Sequence, residues 1–298
     1  MSKKFNLHGA IPALVTPFND DFSINFDKLG ELIEFHIENG SAAVLVLGTT
    51  GESPTIDFDE QIEIVKYAVA KAAGRIHVMV GSGSNCTAKS IKASQKFEEL
   101  GVDSLLLITP YYNRTNDSGM IAHFEAIANA VNTPCVLYTV PVRTGCNINP
   151  VVVEYLAKHP NIVGIKDATG DFGYGMKISR YVSEDFHLYT GNDNMIIPTL
   201  SLGASGAISV WSNYAPKTIA NMIDLWFAGQ HATALKIQQE NLDLINAMFI
   251  ETSPIPLRYM MNKTGFEVGP ARLPLGELSD AGKAVIDPLL EKELSRLG

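Results

Sequence analysis

The chain is poor in cysteine, and its Cys86, Cys135 and Cys146 form no C-x-x-C pair. An odd count without that spacing argues against a disulfide scaffold or a zinc ribbon and suits a reducing compartment. Basic charge is also short. With 23 Lys and Arg against 32 Asp and Glu, the net charge is -9, and no basic face can be read that would hold nucleic acid or an anionic membrane. No apolar run reaches the ~20 residues of a membrane span. The opening Met1-Ser2-Lys3-Lys4-Phe5-Asn6-Leu7-His8 has no apolar leader core. These absences lead to the expectation of a soluble, unprocessed, cytoplasmic protein.

Several kinds of chemistry lack their usual parts. The seven histidines are scattered, with neither H-x-H nor H-E-x-x-H among them, so no metal site is expected. Gly81-Ser82-Gly83-Ser84-Asn85-Cys86 offers two glycines after an apolar run but lacks the third of a dinucleotide fingerprint, which makes a tight turn between strand and helix the better reading. A G-x-S-x-G elbow and a Walker-type loop are both missing.

What is present is alternation. Short apolar runs alternate with longer amphipathic ones, the signature of strand and helix units built on a parallel sheet. Eight runs read as strands: residues 9–15, 42–47, 77–80, 104–108, 135–138, 163–166, 187–190 and 206–210. Leu29, Leu32, Ile33, His36 and Ile37 form a helical stripe that stops at Asn39-Gly40, with His36 read as packing. Asp57 and Glu60 read as a capping box for the next helix. Eight such units predict a (β/α)8 TIM barrel over residues 1–224, although an open doubly wound sheet would show the same pattern. Beyond it the strand signal ends, and helices are expected at 232–249, 255–262 and 279–297 in a helical extension over 225–298. At 298 residues with 46% hydrophobic content, the chain suits one barrel with an appendage.

The most reactive position lies in the sixth apolar run, Val163-Gly164-Ile165-Lys166-Asp167-Ala168. A lysine on a buried strand must find a partner, lose its proton or be used covalently, and a desolvated amine attacks ketones to form Schiff bases. The bland alternatives are a side chain that escapes to solvent at the strand end or pairs with Asp167. Three further strand ends carry polar residues: Gly48-Thr49-Thr50-Gly51-Glu52-Ser53, Thr109-Pro110-Tyr111-Tyr112-Asn113, and Tyr138 followed by Val140-Pro141-Val142-Arg143-Thr144-Gly145. In a barrel these ends converge. The glycines of the first would let backbone amides and two hydroxyls approach a carboxylate, while Tyr138 could be a proton relay or an ordinary core tyrosine.

In that order and spacing, these motifs resemble the dihydrodipicolinate synthase and N-acetylneuraminate lyase superfamily of Schiff-base aldolases, over essentially the whole chain. Thr49-Thr50 in the glycine turn and Arg143 after Val140-Pro141 are most similar to its dihydrodipicolinate synthase branch. Two positions depart from that branch: Thr139 stands where asparagine is usual, and Val142 where a small residue is common. The resemblance implies a barrel that condenses pyruvate with aspartate semialdehyde on the way to lysine and diaminopimelate, without metal or organic cofactor. It implies that Lys166 forms the imine, that Tyr138, Thr49 and Tyr112 relay protons, and that Tyr112 comes from a neighbouring subunit of a tetramer built as a dimer of dimers. Thr50 would hold the pyruvate carboxylate and Arg143 that of the semialdehyde, with Gly191 and Ile208 lining the pocket. Another aldolase of the superfamily, acting on sugar acids or sialic acid, and a barrel that only binds a keto acid are the alternatives.

Lysine-sensitive members of the branch bind the effector near the double tyrosine. Here Asn85 and Tyr111 are kept, but Lys89 replaces the acidic residue, and Phe58 and Gln61 replace histidines. The resemblance therefore implies that lysine does not inhibit this chain.

Overall fold

The structure is a computed structural model that describes residues 5–297, those from 294 onward by their backbone alone. Met1–Lys4, read above for charge and leader character, lie outside the described residues. Eight parallel strands form one sheet in the order β1-β8-β7-β6-β5-β4-β3-β2. They are β1 (Gly9–Pro12), β2 (Ala43–Val46), β3 (His77–Gly81), β4 (Ser104–Ile108), β5 (Cys135–Thr139), β6 (Ile162–Asp167), β7 (His187–Thr190) and β8 (Gly206–Ser209). Closure between β1 and β2 rests on a bridge between Ala13 and Leu45 and on the bonds Ala42 N to Ala10 O, 2.8 Å, and Leu14 N to Leu45 O, 2.9 Å. The open doubly wound sheet is thereby set aside, and the expected (β/α)8 barrel is what forms.

Strand alternation builds two apolar layers. Ile11, Ala43, Leu45, Met79, Leu106, Val136 and Ile208 fill the barrel interior, whereas Val44, Val46, Val78, Val80, Leu105 and Leu107 turn outward beneath the helices. The helices present matching faces. His36, fully buried, bonds Ser41 Oγ through Nδ1 at 3.1 Å, and burial pushes it down to about 3. It packs, as the stripe predicts. The capping box is formed by Asp57 and Glu60 at the start of helix Phe58–Ala72.

Helices Pro216–Phe227, His231–Glu240, Leu242–Ala247, Ile255–Lys263 and Asp280–Leu297 follow β8. The single helix expected over 232–249 is two, broken at Asn241, whose side-chain Nδ2 caps the first by donating to Ile237 O at 2.8 Å. Asparagine competes for backbone bonds in this way, which disfavours it inside a helix. No helix among the described residues is long and apolar enough to cross a membrane.

Candidate active site

The carboxyl ends of β2 to β5 surround a cavity of about 400 Å³ whose walls include Thr49, Tyr111, Tyr138 and Arg143. Glycine shapes its floor, because a Cβ on Gly81 would lie 2.2 Å from Leu47 O and one on Gly83 2.4 Å from Ile108 N. The Gly81-Ser82-Gly83 segment is thus the tight turn that its two glycines suggest. A larger groove of about 1100 Å³ runs between residues 18–25 and the helical extension. Tyr138 and Arg143, which line the smaller cavity, are not on the groove's wall, and Lys166 lines neither of the two.

Lys166 and Tyr138 are direct partners across β5 and β6. Lys166 is only 6% exposed, and its Nζ lies 4.3 Å from the centroid of the Tyr138 ring. Burial lowers the ammonium from its ordinary 10.5 to about 7, with Asp193 opposing that drop and Arg143 adding to it. At neutral pH a large share is therefore free amine. The neighbouring Asp167 does not pair with it. Alternation turns Asp167 to the other face of the strand, where its Oδ1 accepts from Thr169 N at 2.8 Å.

Tyr138 is raised by burial, an effect that hydrogen bonding to Thr49 and the charge of Arg143 oppose. Thr49 belongs to a turn in which Gly51 N donates to Gly48 O and Glu52 N to Thr49 O, each at 3.1 Å. Only glycine suits position 51, since a Cβ there would meet Leu14 O at 2.9 Å. Thr50 is buried in the same turn and does not line the cavity. Gly191 lies against the lysine: an added Cβ would come within 2.7 Å of Lys166 Cε. Ile208 shares the interior apolar cluster with Tyr138.

Tyr112 is the residue that the fold leaves apart. It is 93% exposed, takes a left-handed backbone with φ 67°, and is not on the cavity wall. Thr139, the departure next to Tyr138, points away from the cavity and donates to Asn147 Oδ1 at 2.6 Å. Val142 is exposed to solvent.

Reading the motifs alone missed how the extension grips the mouth. Arg258, 3% exposed, pairs with Glu52 and also donates to the carbonyls of Thr16 and Val268, which ties the Thr49 turn to helix Ile255–Lys263. Arg143 Nη2 donates to Ser253 O at 2.8 Å. Gln238 Nε2 donates to Asp193 O at 2.8 Å, fixing the loop after β7. An arginine within an apolar helical stretch, and an acid just past a strand end, were the signals available in the sequence.

The dihydrodipicolinate synthetase family matches residues 6–293. A protein of Thermoanaerobacter pseudethanolicus named 4-hydroxy-tetrahydrodipicolinate synthase is 45% identical over 285 residues, which is 95% of this chain and 96% of that one. Among solved structures, the lysine-bound enzyme of Cyanidioschyzon merolae superposes with a TM-score of 0.93 at 37% identity, covering 96% of this chain and 97% of that one. The Acinetobacter baumannii dihydrodipicolinate synthase complexed with pyruvate gives 0.93 at 35% identity, over 96% and 98% of the two chains.

Proposed function

Because the chain belongs to the dihydrodipicolinate synthetase family, we propose that it condenses pyruvate with L-aspartate 4-semialdehyde through a Schiff base, forming 4-hydroxy-tetrahydrodipicolinate for lysine and diaminopimelate synthesis. One observation carries the reading: a buried lysine at a barrel strand's carboxyl end, lowered to about 7 and beside a tyrosine on the cavity wall. The amine of Lys166 attacks the keto carbon of pyruvate. Water leaves, and the iminium so formed acidifies the methyl group. The enamine then attacks the aldehyde carbon of the second substrate, whose amino group displaces the lysine from the imine as the ring closes and so frees Lys166.

Tyr138 passes protons during imine formation, and Thr49 extends that path. Thr50 and the amides of its turn receive the pyruvate carboxylate, a task suited to closely approaching backbone N–H groups. Gly191 leaves room for the imine and Ile208 walls it with apolar surface. Arg143 takes the semialdehyde carboxylate, which a planar guanidinium can hold through two hydrogen bonds. Its anchoring by Ser253 O supports this role, since a held guanidinium loses less freedom on binding.

The exposure of Tyr112 supports completion of the relay by a second subunit, in a cytoplasmic homotetramer of two tight dimers. Fully active monomers would contradict that assembly. The test of function compares product formation from pyruvate and aspartate semialdehyde with cleavage of sialic acid and keto-deoxy sugar acids. Condensation should dominate. Cleavage of a sugar acid without condensation would assign the chain to another aldolase, and no turnover of any of them would make it a keto-acid-binding barrel.

A further inference from the structure

Among the described residues, six other than glycine hold a left-handed backbone. Four of them, Phe22, Ala73, Tyr112 and Glu267, are exposed to solvent. The remaining two, Leu47 and Glu52, are each 2% exposed, and each has φ 56°. They stand on either side of Gly48-Thr49-Thr50-Gly51. A Cβ disfavours this conformation, and strain of this kind persists only where the surroundings over-determine it. The turn itself supplies little. Its two glycines leave the backbone supple, and the bonds that close it, from the amides of Gly51, Glu52 and Ser53 to Gly48 O and Thr49 O, are 3.1 to 3.5 Å long.

What fixes the turn comes from outside it. At its first end, Leu47 O packs against Gly81, where a Cβ would lie 2.2 Å away. At its second end, Thr16 Oγ1 donates to Gly51 O at 2.7 Å, and Thr16 is itself buried. The stretch that carries Thr16 is stitched to the chain beyond β8, since the fully buried Asn213 accepts from Val15 N at 2.9 Å and donates to Ala13 O at 2.8 Å. The Glu52 carboxylate takes Arg258 on one oxygen and Arg272 N on the other at 3.0 Å. Both guanidinium groups lie over the Phe18 ring, 5.0 and 4.5 Å from its centroid.

Resting on the Schiff-base reading, we propose that Glu52 and Thr16 are positioning residues for the pyruvate half of the reaction, together holding the strained turn in the form that presents Thr49 and Thr50 to the keto acid. Neither lines the cavity, whereas Thr49 lies on its wall with Tyr138. The second substrate relies on a different support, because Arg143 is anchored by Ser253 O at 2.8 Å. Loss of either pin lets Leu47 and Glu52 relax toward ordinary backbone and moves the turn. A displacement of about 1 Å beside reacting groups is worth ~100-fold. Use of pyruvate should suffer, and use of the semialdehyde should not.

The test measures kcat/KM for each substrate and follows exchange of the pyruvate methyl protons with solvent deuterium by NMR, which needs only the iminium and enamine. Thr16→Val removes the hydroxyl at nearly constant shape, and Thr16→Ser restores it. The first should lower kcat/KM for pyruvate and slow exchange by about two- to tenfold, the worth of one hydrogen bond, and the second should recover most of the loss. Glu52→Gln should act in the same direction by about tenfold or more, with kcat/KM for aspartate semialdehyde unchanged in both. Glu52→Gly is the sharpest arm. Glycine takes φ 56° freely, so a turn that held itself would work as well or better, whereas a turn held by the carboxylate loses pyruvate as in Glu52→Gln. A merely structural role would lower kcat/KM for both substrates equally, in proportion to the folded protein lost. Equal losses, or a Glu52→Gly protein with wild-type use of pyruvate, overturn the positioning role alone. If the Glu52 variants do not fold, the Thr16 pair decides it: Thr16→Val with wild-type use of pyruvate, or no recovery in Thr16→Ser, overturns it. Absence of exchange in the wild type overturns the Schiff-base reading and the positioning role with it.

Discussion

Removal of Arg258 should cost far more than any surface ion pair of this protein. Its guanidinium, 3% exposed, holds Glu52 and the carbonyls of Thr16 and Val268. Arg258→Ala leaves the Glu52 carboxylate with the Arg272 amide, 3.0 Å away, as its remaining bond. Breaking a buried pair from one side typically costs ~3–5 kcal/mol, and the orphaned Thr16 carbonyl a further ~1–3 kcal/mol, whereas Val268 O keeps the amide of Phe18 at 3.1 Å. The losses overlap because they share one cavity, so about 5 kcal/mol is the expected sum. At roughly 2–4 °C per kcal/mol for a chain of this class, the melting temperature should fall by ~10–20 °C. Glu52→Gln should cost less, because Arg258 keeps its carbonyl partners, yet it should impair catalysis by loosening the turn that carries Thr49. Thermal unfolding followed by circular dichroism reads the first effect. Arg75→Ala, which breaks the exposed pair with Glu34, is the control and should leave the melting temperature unchanged. If Arg258→Ala melts with that control, the extension is not clamped to the mouth by this residue and the argument fails.

Gly191→Ala places a Cβ within 2.7 Å of Lys166 Cε; displacement of the amine by about 1 Å is worth ~100-fold, so turnover should fall by that order in a protein whose circular dichroism is unchanged. Arg143→Ala should raise the KM for aspartate semialdehyde by ~10–100-fold, as expected for a lost charge-assisted contact of ~1.5–3 kcal/mol, and leave formation of the pyruvate adduct intact. Equal loss of both would reassign Arg143. Lysine at 1 mM should leave activity essentially unchanged, since Lys89 stands exposed where an acid would be needed, Lys92 Nζ already lies 5.2 Å from the Phe58 ring centroid, and Gln61 bonds the carbonyls of Ser53 and Ile56. Half-inhibition below that concentration in a lysine titration would refute it.

The barrel was legible because its strands are buried on both faces and read as short continuous apolar runs, of which Ser104–Ile108 and His187–Thr190 have the expected bounds. Of residues 13–15, read as strand, Ala13 and Leu14 still bond Ser209 O and Leu45 O as strand neighbours do, and the chain leaves the sheet at Val15, whose N bonds the side chain of Asn213 at 2.9 Å. Apolar pattern records burial and is blind to which partner a backbone amide takes. Thr49, Tyr138 and Arg143 fell on one cavity wall because barrel geometry brings strand ends together. The Glu52–Arg258 pair was hidden for a different reason. Its two partners lie 206 residues apart, and no local period encodes such a pairing.

Covalent chemistry at one lysine is the centre of the proposed reaction. Sodium borohydride added in the presence of pyruvate, followed by peptide mapping, tests it most directly: reduction should fix one pyruvate-derived adduct on Lys166 and none elsewhere, and Lys166→Ala should abolish both adduct and turnover. An adduct on any other lysine, or a Lys166→Ala protein of near-normal activity, would contradict the account.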